Sequence, residues 1–160
     1  MNLLRPFARL PEHKEVFTQI DELWADPQNN WRRLTERAFA QLLPAVTRKF
    51  LTNFIVNSAL NGIPKGHELA DTYNCNVPWA ILLDPTSDCN LRCKGCWAEE
   101  YAKGAHLSFE ELDGIITQGK ELGVYMYLYS GGEPLLRAND IIELARRHDD
   151  CMFCAFTNAT

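Results

Sequence analysis

From Trp79 onward the chain alternates short apolar runs with amphipathic stretches, and that order constrains its fold more than any other feature. Trp79 to Leu83 is an unbroken apolar run ending in Asp84-Pro85, the pattern expected of a parallel strand buried on both faces. Ser108-Phe109-Glu110-Glu111 has the spacing of a capping box, in which serine and glutamate side chains each accept the other's backbone N–H. Phe109, Leu112, Ile115, Ile116 and Leu122 then predict the apolar face of a helix closed by Gly123. Val124 to Tyr129, rich in aromatic and branched residues, predicts a second strand. Asn139 is placed to cap a further helix with Ile141, Ile142, Leu144 and Ala145 on its buried side, and Met152 to Phe156 predicts a third strand.

Strand, helix, strand, helix, strand at these spacings implies a parallel sheet, because each helix is the crossover that returns the chain to begin the next strand in the same direction. Loops leaving the three strands then share one end of the sheet. A cysteine-rich loop, the turn Ser130-Gly131-Gly132-Glu133-Pro134, and Thr157-Asn158 all follow strand ends, so three separated stretches converge where α/β folds place their active sites.

The preceding residues differ. Pro11 to Trp24 carries Val16, Ile20, Leu23 and Trp24 on one helical stripe and stops at Asp26-Pro27. Trp31, Leu34, Ala38 and Leu42 predict a second helix; Val46, Phe50 and Phe54 predict a third that begins at Pro44 and stops at Asn61-Gly62. Residues 63–78 mix turn formers (Pro64, Gly66, Asp71, Asn74, Asn76, Pro78) and read as a linker. The organisation expected is a helical region and linker over residues 1–78, followed by an α/β unit over residues 79–160.

Six cysteines at 75, 89, 93, 96, 151 and 154 are too few and too clustered for a disulfide framework. Cys89, Cys93 and Cys96 form CxxxCxxC in the segment DCNLRCKGCW. Three thiolates on a short turning loop can hold three irons of a cubane cluster and leave the fourth without a protein ligand. A structural zinc site wants four closed ligands, and neither Cys75, before the first strand, nor His106, beyond the loop, is close in sequence. Iron and sulfur are therefore favoured, with a zinc-binding interaction module and an inactive fragment as the alternatives.

CxxxCxxC followed after the next strand by YSGGEP resembles the radical SAM superfamily, over residues 79–160. The resemblance implies a parallel (β/α) barrel, a four-iron, four-sulfur cluster on Cys89, Cys93 and Cys96, and S-adenosylmethionine on the open iron. Gly131, Gly132 and Glu133 would hold the methionine end of that cofactor, with Thr157 and Asn158 adjoining it at the third strand end. It also implies an oxidoreductase in which reductive cleavage of S-adenosylmethionine yields a 5'-deoxyadenosyl radical that abstracts hydrogen from a substrate. A small electron donor such as a flavodoxin or ferredoxin would supply the electron. The chain departs from the superfamily pattern at Gly95, where an aromatic residue beside the adenine is common; here Trp97 follows the third cysteine instead. A complete eight-unit barrel takes about 250 residues. Only 82 run from Trp79 to Thr160, so a partial barrel with an unpaired edge on its third strand is expected.

Charge is uneven: residues 1–78 carry 9 basic and 8 acidic groups, residues 79–160 carry 7 and 13. The acidic second half argues against nucleic acid as the partner. The absence of a long apolar run argues against a membrane span. The opening MNLLRPFARL is interrupted by Arg5, Pro6 and Arg9, which argues against a secretory leader and for the cytoplasm. Cys151 and Cys154, three apart in an extended strand, would point to opposite faces and read as inert thiols. Tyr125, Tyr127 and Tyr129 share a strand face and read as packing under a helix. Asp88, Glu99 and Glu100 around the cysteine loop read as solvated.

Overall fold

A computed structural model describes residues 11–100 and 104–160; the expectation that residues 1–10 are no leader lies outside them. Strands β1 (Ala80–Leu83), β2 (Met126–Tyr129) and β3 (Met152–Ala155) form one parallel sheet in the order β1-β2-β3. Ala80, Met126 and Met152 stand in register, as do Leu83, Tyr129 and Ala155. The alternation read from the sequence thus yields α/β topology, and all three strands end together. Among the described residues β3 pairs only with β2, so one of its edges is open. The small sheet is a parallel layer; closure into a barrel is not part of it.

The crossovers are α5 (Phe109–Glu121) and α6 (Ala138–Arg147). The Ser108 hydroxyl accepts the Glu111 N–H at 3.1 Å, and the Glu111 carboxylate accepts the Ser108 N–H at 2.7 Å. These two bonds hold the carboxyl of Glu111 below the usual range, the backbone bond being the larger cause. Gly123 ends the helix at φ +88°, a conformation that glycine adopts at little cost. Leu112, Ile116, Val124, Tyr127, Tyr129 and Leu144 are almost wholly buried in one cluster; each large aliphatic side chain there contributes about 1.5–3 kcal/mol. The Tyr127 hydroxyl donates to the carbonyls of Ile116 (3.0 Å) and Val124 (3.1 Å). Phe153 stacks on Tyr127 and Tyr129. These tyrosines therefore pack beneath the helices, as expected.

The other sheet face is different. Leu82 is 55% exposed, so β1 is not buried on both faces: α5 and α6 cover one side only. Asn139 is also not a cap. Helix α6 begins one residue earlier behind a 3-10 turn, Pro134–Arg137, whose Leu135 N–H is already capped by Glu133 Oε1 at 2.9 Å.

The N-terminal region comprises α1 (Pro11–Ala25), α2 (Asn30–Gln41), α3 (Pro44–Lys49), a wide π-helical segment (Phe50–Gly62) and α4 (Ile63–Tyr73). Asn61-Gly62 is not a stop, and residues 63–73 are not a linker. Pro64 occupies the first turn of α4, where no N–H is needed, and the helix ends only at Asn74 in the left-handed region. Among the described residues no helix is long and apolar enough to cross a membrane.

The π-helical segment seats on the loops that enter β2 and β3, at the sheet end opposite the convergent loops. Asn53 Nδ2 donates to the carbonyls of Asp149 (2.9 Å) and Cys151 (2.7 Å), and Asn57 Nδ2 to that of Asp150 (2.9 Å). A Cβ on Gly62 would stand 2.2 Å from the Gly123 carbonyl, so the helix crosses this turn backbone to backbone. Asn53 is 4% exposed, so Asn53→Ala takes the side-chain donor from the Cys151 carbonyl in a buried position, whereas the exposed Asp149 carbonyl keeps Lys49 Nζ. The expected loss is about 1–3 kcal/mol of unfolding free energy, read from urea melts; a change within error would show that Asn53 does not anchor this layer.

Candidate functional site

The cysteine loop leaves β1 and returns to α5 through a short antiparallel clasp. Ser87 N–H donates to Ala105 C=O (2.8 Å) and Leu107 N–H to Pro85 C=O (3.2 Å), with Thr86 bridging His106. The Ser87 hydroxyl accepts the Ala105 N–H (3.0 Å), and Asp88 Oδ1 accepts the Gly104 N–H (2.9 Å). Asp88 is thus a loop-closing acceptor. Beyond the clasp, Cys96 N–H donates to Cys93 C=O (3.1 Å) and Leu91 N–H to Cys89 Sγ (3.4 Å). Gly95 turns the chain at φ +77° with open space beside it, so this position has room to turn but no ring.

Cys89, Cys93 and Cys96 form no disulfide and line one cleft of about 500 Å3, with Arg92 and Gly132 in its wall. The structure therefore brings together all three cysteines of the motif. Among the described residues no three His, Cys, Asp or Glu side chains gather tightly enough to ligate one ion. Three thiols on one cleft, with no further cysteine or histidine in its lining among the described residues, are the donor set of a cubane cluster with one open iron. The donor set fits the cluster.

The Gly-Gly-Glu turn is built onto the same loop. Ser130 N–H donates to Leu83 C=O (2.9 Å), Gly132 N–H to Thr86 C=O (3.1 Å) and Glu133 N–H to Asp88 C=O (2.8 Å). Gly131 lies at φ +100°, and a Cβ there would meet Thr86 O at 2.5 Å; a Cβ on Gly132 would meet Asp88 O at 2.1 Å. The glycines serve close approach between two strand-end loops.

Glu133 is 1% exposed and does not line the cleft. Its Oε1 accepts the Thr157 hydroxyl (2.7 Å) and the Leu135 N–H (2.9 Å); its Oε2 accepts the Asn158 N–H (2.8 Å). Burial would raise its pKa, but these donors outweigh burial and hold the carboxyl below its ordinary value. Thr157 and Asn158 thus meet the site through Glu133, and Asn158 Nδ2 also donates to Asn90 Oδ1 (2.9 Å), inside the cysteine motif.

Two contributors went unread in the sequence. Asn90 is one; Arg137, whose guanidinium reaches Pro85 and Leu107, is the other. A basic residue at the start of α6, where the helix dipole disfavours it, was the available signal for Arg137. The second cysteine pair makes no site with the first: Cys151 is in the core, where burial pushes its thiol up to about 12, and neither Cys151 nor Cys154 lines the cleft.

Residues 83–160 match the family model of the radical SAM superfamily. Among curated proteins, the PqqA peptide cyclase of Rhodopseudomonas palustris is 35% identical over 86 residues, covering 52% of this chain and 22% of that protein. The GTP 3',8-cyclase of Limosilactobacillus fermentum is 39% identical over 71 residues, 42% of this chain and 21% of that protein. The AdoMet-dependent heme synthase of Oleidesulfovibrio alaskensis is 37% identical over 68 residues, 41% and 17% respectively. The chain spans about a fifth of the length of these relatives. No solved structure matches.

Proposed function

Because residues 83–160 belong to the radical SAM superfamily, whose members bind a 4Fe-4S cluster and S-adenosylmethionine, we propose that this chain supplies the cluster-binding part of an enzyme that cleaves S-adenosylmethionine reductively. The observation that carries the reading is the shared cleft of Cys89, Cys93, Cys96 and Gly132 at the strand ends. When bound, the pair of cofactors supplies a 5'-deoxyadenosyl radical that takes a hydrogen atom from the substrate, an oxidoreductase reaction.

In this reading Cys89, Cys93 and Cys96 hold three irons as thiolates. The turn of Gly131, Gly132 and Glu133 holds the methionine end of S-adenosylmethionine: Gly132 lines the cleft, and backbone carbonyls can accept hydrogen bonds from an ammonium group. Thr157 and Asn158 keep that turn in place by donating to the Glu133 carboxylate. A flavodoxin or ferredoxin delivers the electron, and the cytoplasm is the compartment that keeps such thiols reduced.

Anaerobic reconstitution with iron and sulfide tests this. The expected product is a brown protein with about four irons per chain that converts S-adenosylmethionine to methionine and 5'-deoxyadenosine under dithionite. A colourless, zinc-loaded protein would reject the reading. An intact cluster without cleavage would make the chain an inactive fragment.

A further inference from the structure

Arg137 lies four residues beyond Glu133, at the junction of the 3-10 turn with α6, and the roles assigned above leave it unexplained. It stands at the N-cap of α6 with no side-chain capping bond. A cation there opposes the helix dipole, and its i,i+3 ion pair with Asp140 does not account for the rest of its reach.

Its tertiary contacts do. Nη1 donates to Leu107 C=O (2.9 Å) and to Pro85 C=O (3.3 Å). Pro85 and Leu107 are the outgoing and returning ends of the cysteine loop, joined by the Leu107 N–H to Pro85 C=O bond of 3.2 Å. The other side of the fork is fixed by Asp140: Nε lies 2.6 Å and Nη2 2.5 Å from its Oδ2. The Arg137 side chain is 23% exposed. A planar fork with five donors can serve a carboxylate and two carbonyls at once, which a compact ammonium cannot.

We propose that Arg137 is a positioning residue for the cysteine loop: it locks both ends of that loop to the helix following the Gly-Gly-Glu turn, so the three thiols and the turn keep one mutual geometry. Its consequence for a cluster rests on the function proposed above; the bracing itself rests on geometry alone. Asp140 holds the fork in the orientation that faces the loop.

The test compares the full chain with its Arg137→Gln and Arg137→Lys variants by site-resolved amide hydrogen exchange and by chelator challenge after anaerobic reconstitution. In Arg137→Gln the Ser87 and Leu107 amides, which close the clasp, should exchange about tenfold faster while the Ile116 amide in α5 keeps its rate. Cluster loss to the chelator should accelerate by a similar factor of about ten, with Arg137→Lys intermediate. Unchanged clasp exchange, or a uniform rise across all amides, overturns the bracing role. Faster clasp exchange with unchanged cluster loss overturns the positioning role. Should Arg137→Gln fail to fold, Arg137→Lys carries the same comparison. If the parent chain takes up no cluster, the proposed function fails while clasp exchange still decides the bracing.

Discussion

Cys93→Ala should leave a folded chain that takes up no four-iron cluster. Cys93 is exposed on the loop and has no part in the buried core around Leu112, Ile116 and Leu144, so its thiol contributes little to folding, about 0.5 kcal/mol or less. Its loss to the cluster is of another kind. With two thiolates left, a second iron of the cluster would lack a protein ligand and would be open to weaker, exchanging ligands such as water or buffer thiols. Iron and sulfide should fall from about four per chain to a small fraction of that value, with an unchanged urea midpoint. Cys75→Ala is the control, because Cys75 is exposed beyond α4 and does not line the cleft. Full cluster retention in Cys93→Ala would contradict the ligand assignment.

The second large effect is expected at Gly132. Its added methyl would stand 2.1 Å from Asp88 O, 2.5 Å from Asp88 C and 2.7 Å from Ser87 O. All three atoms are backbone, so no side chain can swing aside. The turn must move, and the bonds from Gly132 N–H to Thr86 and from Glu133 N–H to Asp88 go with it. Overpacking costs about 1–3 kcal/mol, and each lost bond adds about 1 kcal/mol. Under the proposed function, S-adenosylmethionine affinity in the reconstituted Gly132→Ala variant should drop by at least about tenfold, since displacement of the turn by even 1.4 kcal/mol in binding suffices. Calorimetric titration reads this. Gly114→Ala separates the effect from glycine loss in general: that position lies within α5 and its Cβ would meet only Gln118 Nε2 at 3.9 Å, so alanine should be neutral or stabilising there. Parental affinity in Gly132→Ala would show that the two loops need not be so close.

The readings that survived into three dimensions share a property. Ser108 and Glu111 meet within one helical turn; the apolar runs Trp79 to Leu83 and Val124 to Tyr129 contain the strands β1 and β2; CxxxCxxC confines its thiols to one loop. Each is a local pattern whose partners lie a few positions away, so periodicity and spacing expose it. Readings failed where a distant contact overrode local preference. Asn61-Gly62 looks like a helix stop, and Pro64 and Gly66 look like a linker, yet Gly62 is where a helix touches Gly123, and helical backbone continues through them to Tyr73. Asn139 has the composition of a cap, but Glu133 starts the turn ahead of it.

Residue order alone was enough for the parallel topology, for the convergence of three loops at one sheet end and for the candidate metal-binding cysteines, because crossover handedness and ligand spacing are properties of the connected chain. Tertiary packing alone decided that Glu133 is buried against Thr157 and Asn158, that Asn53 anchors the helical layer at the far end of the sheet, and that Arg137 grips both ends of the cysteine loop. Those partners are separated by 24 to 98 positions. Which donor reaches which carbonyl across such a gap depends on how helices and loops stack, and only the folded backbone places them.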